Sequence, residues 1–149
     1  MKTIFDDITR EQLIRRINTL NENSKPQWGK MNIYQMLKHC NLAEALYLGK
    51  TQHKRSFLGR ILGKWVLNNN MLKDEAPMQR NAPTSGHFKV KETVGDTEAE
   101  KKKWISQLEE YANYQQADFT HWFFGKMTRE QLGQFVYKHT DHHLRQFNS

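Results

Sequence analysis

Helix-start signals stand near both ends of the chain. Thr9-Arg-Glu-Gln12 and Thr128-Arg-Glu-Gln131 each read as a capping box, in which the threonine and glutamine side chains satisfy each other's free backbone donors. Behind each box, apolar residues recur every three or four positions, as in a helix that buries one face. These signals predict an amphipathic helix near the start of the chain and another that runs from Thr128 almost to Ser149.

Two further amphipathic helices are predicted between these ends. One runs from about Asn32 to Gly49, and the other begins at Asp96 or Thr97. A short extra helix is predicted over residues 56–67, and residues 68–95 read as a long connection. The expected fold class is therefore all-α: a four-helix bundle with an extra short helix and a long connection between the second and third bundle helices.

Length and cysteine content limit the classes of protein to which this chain can belong. The chain has 149 residues, so we expect one helical domain over residues 1–149. Cys40 is the only cysteine, which excludes an internal disulfide and a cysteine-rich zinc site and favours the reducing cytoplasm. We expect Cys40 to be a small buried filler. Residues 1–7 lack the apolar stretch of a signal peptide or membrane span, which predicts no membrane partner.

The charge of the chain is basic and unevenly distributed. The formal net charge is +7, a balance that suits anionic ligands, acidic partners or nucleic acid. No acidic residue lies between Glu44 and Asp74, whereas that stretch carries Lys50, Lys54, Arg55, Arg60, Lys64 and Lys73. No zinc finger, RNP motif or zipper accompanies it, so we expect a solvated face and no nucleic-acid partner.

Three histidines fall on helix faces that point to the core. His139 and His143 are four residues apart and therefore only about 40° apart around the last helix. Leu132 and Val136 lie on the same stripe, so both imidazoles are expected to face inward. The same projection places His39 on the apolar face of the second helix.

These inward imidazoles predict a metal site. A buried polar nitrogen without a partner costs roughly 1 to 3 kcal/mol, and three neutral nitrogens can share one divalent ion. His39, His139 and His143 are the candidate ligands, with zinc or nickel as first choices and iron, manganese or cobalt as alternatives. Gln35 and Gln146 share their faces and are candidates to hold the outer ring nitrogens. The simpler alternative is that each histidine and glutamine makes ordinary interior hydrogen bonds.

The other histidines carry weaker signals. His142 projects about 100° from His143 and is at best a substitute ligand. His121 precedes the last helix, where it can contact substrate or pack in the core. His53 and His87 have no partner pattern and are expected to be exposed. No pair of carboxylates stands at a useful spacing, so no catalytic residue is assigned.

The histidines also carry a family resemblance. His39 in an early helix and the block His139-Thr-Asp-His-His143-Leu-Arg-Gln146-Phe, preceded by His121-x-Phe-Phe-Gly125, resemble one branch of unknown function of the DinB-like (YfiT-like) superfamily. The likeness spans nearly the whole chain and is most specific over residues 121–147. One departure is Trp122, where similar sequences place proline. The resemblance implies an up-down-down-up four-helix bundle, metal ligands at the three histidines, and a homodimer.

The resemblance and the histidines together predict a function. Some members of the superfamily transfer low-molecular-weight thiols, so we expect a metal-dependent hydrolase or thiol S-transferase that activates water or a small-molecule thiol. An anionic substrate is the other expected partner. The alternative is a non-catalytic helical bundle that binds a metal or a small ligand, which would retain metal tightly and show no turnover.

Overall fold

The protein consists of five α-helices and one β-hairpin. The computed structural model describes all of residues 1–149. The elements are α1 (Asp7–Thr19), α2 (Ile33–Tyr47), α3 (Phe57–Val66), α4 (Thr97–Glu109), β1 (Asp118–His121), β2 (Gly125–Thr128) and α5 (Arg129–Gln146). One π turn, Leu67–Met71, continues α3, and 3-10 turns lie at Gly86–Phe88 and Glu110–Asn113. None of the helices combines the length and apolarity needed to cross a bilayer.

Four of the helices enclose the main core. They contact one another in the cyclic order α1, α4, α2, α5, and 25 buried apolar residues from these helices, the hairpin and the connecting segments form one cluster. Capping boxes start α2, at Asn32 and Gln35, and α5, at Thr128 and Gln131. The box predicted at Thr9 does not form, because the Asp6 side chain caps α1 by accepting from the Thr9 backbone N–H. The first helix therefore begins before Thr9.

The prediction of an all-α protein is wrong. Helices make up 54% of the chain, and a two-stranded antiparallel sheet makes the fold mixed. In β1, Phe119 and His121 point inward and alternate with exposed residues, and β2 buries Gly125 and Met127 in the same way. Each strand has only four residues, and the apolar run between them hides the alternation in the sequence. Gly125 at φ 79° supplies the turn conformation that other residues rarely adopt.

The hairpin supports α3 through two glycines. Gly59 and Gly63 are the buried residues of α3, and both lie against the backbone of Phe123, between the strands. A Cβ added at either glycine would collide with the Phe123 carbonyl oxygen. Because the contact is backbone to backbone, α3 can bind the hairpin only with a face that lacks side chains.

Gly63→Ala is expected to destabilise the protein by about 1 to 3 kcal/mol, because the added methyl group overpacks this contact. Alanine is the better helix former by roughly 1 kcal/mol, so propensity alone predicts the opposite sign. Urea denaturation measures the change. Gly86→Ala is the matched control, since no atom lies within 4 Å of its added Cβ. Equal stability of the two variants would mean that α3 does not dock as described.

Candidate metal centre

Helix α2 places His39 in the core beside the long connection. Met36 and Cys40, on the same helix, are fully buried, and the His39 ring is turned toward α5. Its Nδ1 lies 2.9 Å from the Phe88 carbonyl oxygen. A carbonyl can only accept, so Nδ1 carries the proton and Nε2 keeps a free lone pair.

Helix α5 supplies the other two rings of the cluster. His139 and His143 lie one turn apart, with ring centroids 4.7 Å from each other. The His39 centroid lies 5.5 Å from that of His139 and 4.8 Å from that of His143. One ring nitrogen from each residue lies within 4.8 Å of the other two. The three histidines could therefore hold one metal ion.

Gln146 fixes the orientation of His143. Its amide nitrogen donates to the Trp28 carbonyl oxygen at 2.9 Å, so its Oε1 must be the atom 2.9 Å from His143 Nδ1. That oxygen accepts the Nδ1 proton and leaves Nε2 of His143 with a free lone pair. The arrangement is the one that metal-binding histidines use to set the tautomer of the ring.

The His139 ring is held by packing instead. It stacks on Phe135 at 6.2 Å and meets the Tyr47 ring edge to face at 5.9 Å. Its Nδ1 is buried without a hydrogen-bond partner. Of the three rings, His139 is therefore the one that the protein leaves least satisfied.

Burial keeps all three imidazoles in the neutral form. The three residues are 5 to 9% exposed, and loss of hydration lowers the pKa of His39 and, more strongly, of His139 and His143. The neighbouring rings lower the pKa values of His139 and His143 further, because adjacent positive charges would repel. Neutral imidazole is the form that binds metal ions.

Gln35 lies near the site but does not contact the His39 ring through a hydrogen bond. Its Oε1 accepts from the Asn32 backbone N–H in the capping box, and its Nε2 donates to the Val90 carbonyl at 3.3 Å. The outer nitrogen of His39 instead meets the Phe88 carbonyl. The structure thus brings Gln146 to the cluster, while Gln35 serves the start of α2.

His121 lies at the end of β1, outside the three-ring cluster. Its Nδ1 accepts from the backbone N–H groups of Phe123 and Phe124, at 3.1 and 3.2 Å, and the ring stacks on Phe124. Burial, with smaller contributions from Arg55 and His53, lowers the pKa of His121 to about 3. These contacts hold the hairpin turn, and a contact between His121 and substrate stays a prediction.

The other imidazole and sulfur groups do not belong to the three-ring cluster. His142 lies next to it, with its ring centroid 5.1 Å from that of His143, and it meets the Trp28 ring edge to face at 5.7 Å. His53 and His87 stack at 4.1 Å; His87 is exposed as expected, whereas His53 is half-buried. Cys40 is fully buried, and burial raises the pKa of its thiol well above the usual value. This thiol is not poised to act as a nucleophile.

Two groups around the site could not be found from the sequence. They are the main-chain carbonyls of Phe88 and Trp28, which orient His39 and, through Gln146, His143. Phe88 is 49 residues away from its histidine, and any residue type can supply a carbonyl. No residue pattern signals such a contact, so only the fold reveals it.

The fold and the cluster define a mainly helical protein with a hairpin and a three-histidine group that could hold a metal ion. The chain belongs to the family described as "Protein of unknown function (DUF1569)", whose profile matches residues 5–149. Comparison with curated proteins gives no significant match. Comparison with solved structures gives none either.

Proposed function

We propose that the protein is a metal-dependent enzyme related to the DinB-like superfamily, in which His39, His139 and His143 hold one divalent ion. The observation that carries the proposal is the convergence of three enclosed, neutral imidazoles, with the outer nitrogens of His39 and His143 already bound to oxygen acceptors. The resemblance supports it, because these residues match that superfamily's ligand positions.

The chemistry of the donors fits a borderline metal ion. Imidazole nitrogens suit zinc and nickel, which remain the first choices, with iron, manganese and cobalt as alternatives. His139 supports the assignment separately, because its Nδ1 has no hydrogen-bond partner although the ring is enclosed. A ring with an unpaired buried nitrogen costs stability, so its presence in the core calls for an explanation. A role as metal ligand provides one for His139.

When bound, a divalent ion supplies Lewis-acid chemistry that lowers the pKa of a water molecule or a low-molecular-weight thiol and makes it a nucleophile near neutral pH. The three neutral histidines add no negative charge that would offset the charge of the ion. The Phe88 carbonyl and Gln146 hold two of the rings in the required tautomer. The reaction class we propose is hydrolysis or thiol S-transfer, with a small thiol or an anionic molecule as substrate.

The oligomeric state and the cellular location of the proposed enzyme are proposed on separate grounds. A homodimer is implied by the family resemblance. A reducing, cytoplasmic location is supported by the single cysteine, Cys40.

A non-catalytic metal-binding protein is the second candidate. Two observations favour it: the group that could hold the ion contains no carboxylate that would act as a general base, and its rings are almost completely enclosed. In that case the ion would stabilise the fold and would remain tightly bound. Turnover separates the two candidates.

We expect zinc-loaded protein to accelerate one of two reaction types at least about 100-fold over buffer: transfer of glutathione or cysteine to an aryl halide or epoxide, or hydrolysis of an ester or phosphoester. His139→Ala should abolish the acceleration, and His53→Ala, outside the cluster, should retain it. Elemental analysis accompanies each assay. Bound metal without turnover would favour the non-catalytic candidate, and absence of bound metal would contradict both.

A further inference from the structure

Five of the nine exposed large apolar residues lie on the outward face of α3, outside the three-histidine cluster. These side chains are 43 to 80% exposed, and we call them the apolar ridge: Phe57, Leu58, Ile61, Leu62 and Trp65. Together they expose about 600 Å² of side-chain surface, if a fully exposed residue of this size offers about 200 Å². An apolar patch of that size usually marks a site of protein or membrane contact.

The docking of α3 on the hairpin keeps this ridge outward. Gly59 and Gly63 form the face that touches Phe123. On a helix with about 100° between residues, the centre of the apolar ridge lies about 150° from these glycines. The ridge therefore points away from the body of the protein, and no rotation of α3 can bury it without losing the glycine contact.

Unpaired positive charges lie along one side of the ridge. Lys54, Arg60, Lys64 and Lys126 are exposed, and none of the four forms an ion pair in the structure. Lys64 donates to the main-chain carbonyl of Lys126, which ties α3 to the hairpin beside the ridge. No acidic residue lies between Glu44 and Asp74 to neutralise this surface. The occupant of the ridge must therefore combine apolar material with negative charge.

A second copy of the chain fits these requirements poorly. A symmetric contact through the ridge would bring the same basic residues of two copies together, and like charges across an interface are unfavourable. The ridge also offers about 600 Å² per copy, whereas a stable interface buries about 800 Å² on each side.

We propose that the apolar ridge of α3 inserts into the surface of a lipid bilayer rich in anionic lipids. Side chains as exposed as Phe57 protrude from the protein instead of lining a groove, a shape that suits a fluid layer better than a rigid partner. Trp65 suits the boundary between headgroups and acyl chains, and the lysines and arginines attract anionic headgroups. Lying on a bilayer requires no spanning helix, so this proposal revises the expectation of no membrane partner.

Vesicle flotation with the full chain tests the proposal. We expect binding to vesicles that mix phosphatidylcholine with phosphatidylglycerol, weak binding to phosphatidylcholine alone, and loss of binding in high salt. Ile61→Ser should weaken binding at least about tenfold, and Arg60→Gln about fivefold. Ile8→Ser on α1 is the matched control, because Ile8 is 66% exposed and Ile61 64%.

Tryptophan fluorescence tests whether the ridge enters the bilayer, and sedimentation tests whether it instead joins two copies of the chain. The emission should shift to shorter wavelength on binding, and Trp65→Phe should remove most of the shift. No binding to the mixed vesicles would overturn the proposal, as would equal losses in Ile61→Ser and Ile8→Ser. If the wild type instead sediments as a dimer that Ile61→Ser dissociates, and vesicles are not bound, the ridge is an interface between copies and the proposal fails.

Discussion

Wild-type protein is expected to bind one equivalent of Zn²⁺, whereas His39→Ala and His143→Ala should bind it at least about 100-fold more weakly. The size of the effect follows from the geometry, because each substitution leaves two imidazoles where the cluster has three. Loss of a group that only orients a ligand already costs about 10- to 100-fold in affinity, so loss of a ligand should cost more. Isothermal titration calorimetry of the metal-free protein measures the affinities.

Thermal unfolding provides a second measurement of the same prediction. At free Zn²⁺ about 100 times the Kd, binding stabilises the folded state by about 2.7 kcal/mol. This corresponds to a rise in Tm of roughly 5 to 10 °C for a chain of this length. His53→Ala should show the full rise, because its ring stacks on His87 outside the cluster. Equal metal content and equal Tm shifts in wild type, His39→Ala and His143→Ala would contradict the assignment of these ligands.

Helical periodicity carried most of the information about this cluster. The four-residue spacing of His139 and His143 and the apolar stripe around them predicted two inward rings, and the structure brings both to His39. The prediction worked because a long helix with a strong start signal fixes the direction of every side chain on it. Helix α2, predicted from about Asn32 to Gly49, is found at Ile33–Tyr47 for the same reason.

The hairpin and the surroundings of the rings could not be predicted in this way. Strands of four residues give too few repeats for alternation to be recognised, and His121 is held by backbone N–H groups that any residues could supply. Gln35 shows that a correctly predicted helix face does not determine a side chain's hydrogen-bond partners. It lies on the helix face expected for a partner of His39, but the capping box and the Val90 carbonyl use both ends of its amide.

The faces read from periodicity do not reveal how a buried polar group is paired. Asp141 on α5 is buried and forms ion pairs with Arg16 and Arg145. Glu44 is fully buried between α2 and α4 among aromatic side chains, and no cation pairs with it. Periodicity describes direction, whereas the partner that a buried polar group finds depends on the whole fold.

Glu44 is expected to make the stability of the protein fall as pH rises from about 5 to 8. Burial raises the pKa of its carboxyl from 4.5 to about 7, although the Tyr111 hydroxyl, which donates to it at 2.6 Å, and the nearby Trp104 indole act in the opposite direction. The folded state therefore holds the proton more tightly than the unfolded chain. Its stabilising contribution is complete below about pH 4.5 and is lost as pH rises toward 7, by about 3 kcal/mol in total.

Glu44→Gln isolates this contribution because glutamine does not titrate. The buried histidines act with the opposite sign, since the fold holds them neutral, so the informative quantity is the free energy of unfolding of wild type minus that of the variant. Measured by urea denaturation at pH 5 and pH 8, this difference should decrease by about 2 to 3 kcal/mol on going to the higher pH. Replacement of the exposed Glu22 by glutamine should leave the corresponding difference unchanged. A difference for Glu44→Gln that stays constant between the two pH values would mean that the carboxyl of Glu44 is hydrated in the folded protein and does not lie in the enclosed position described.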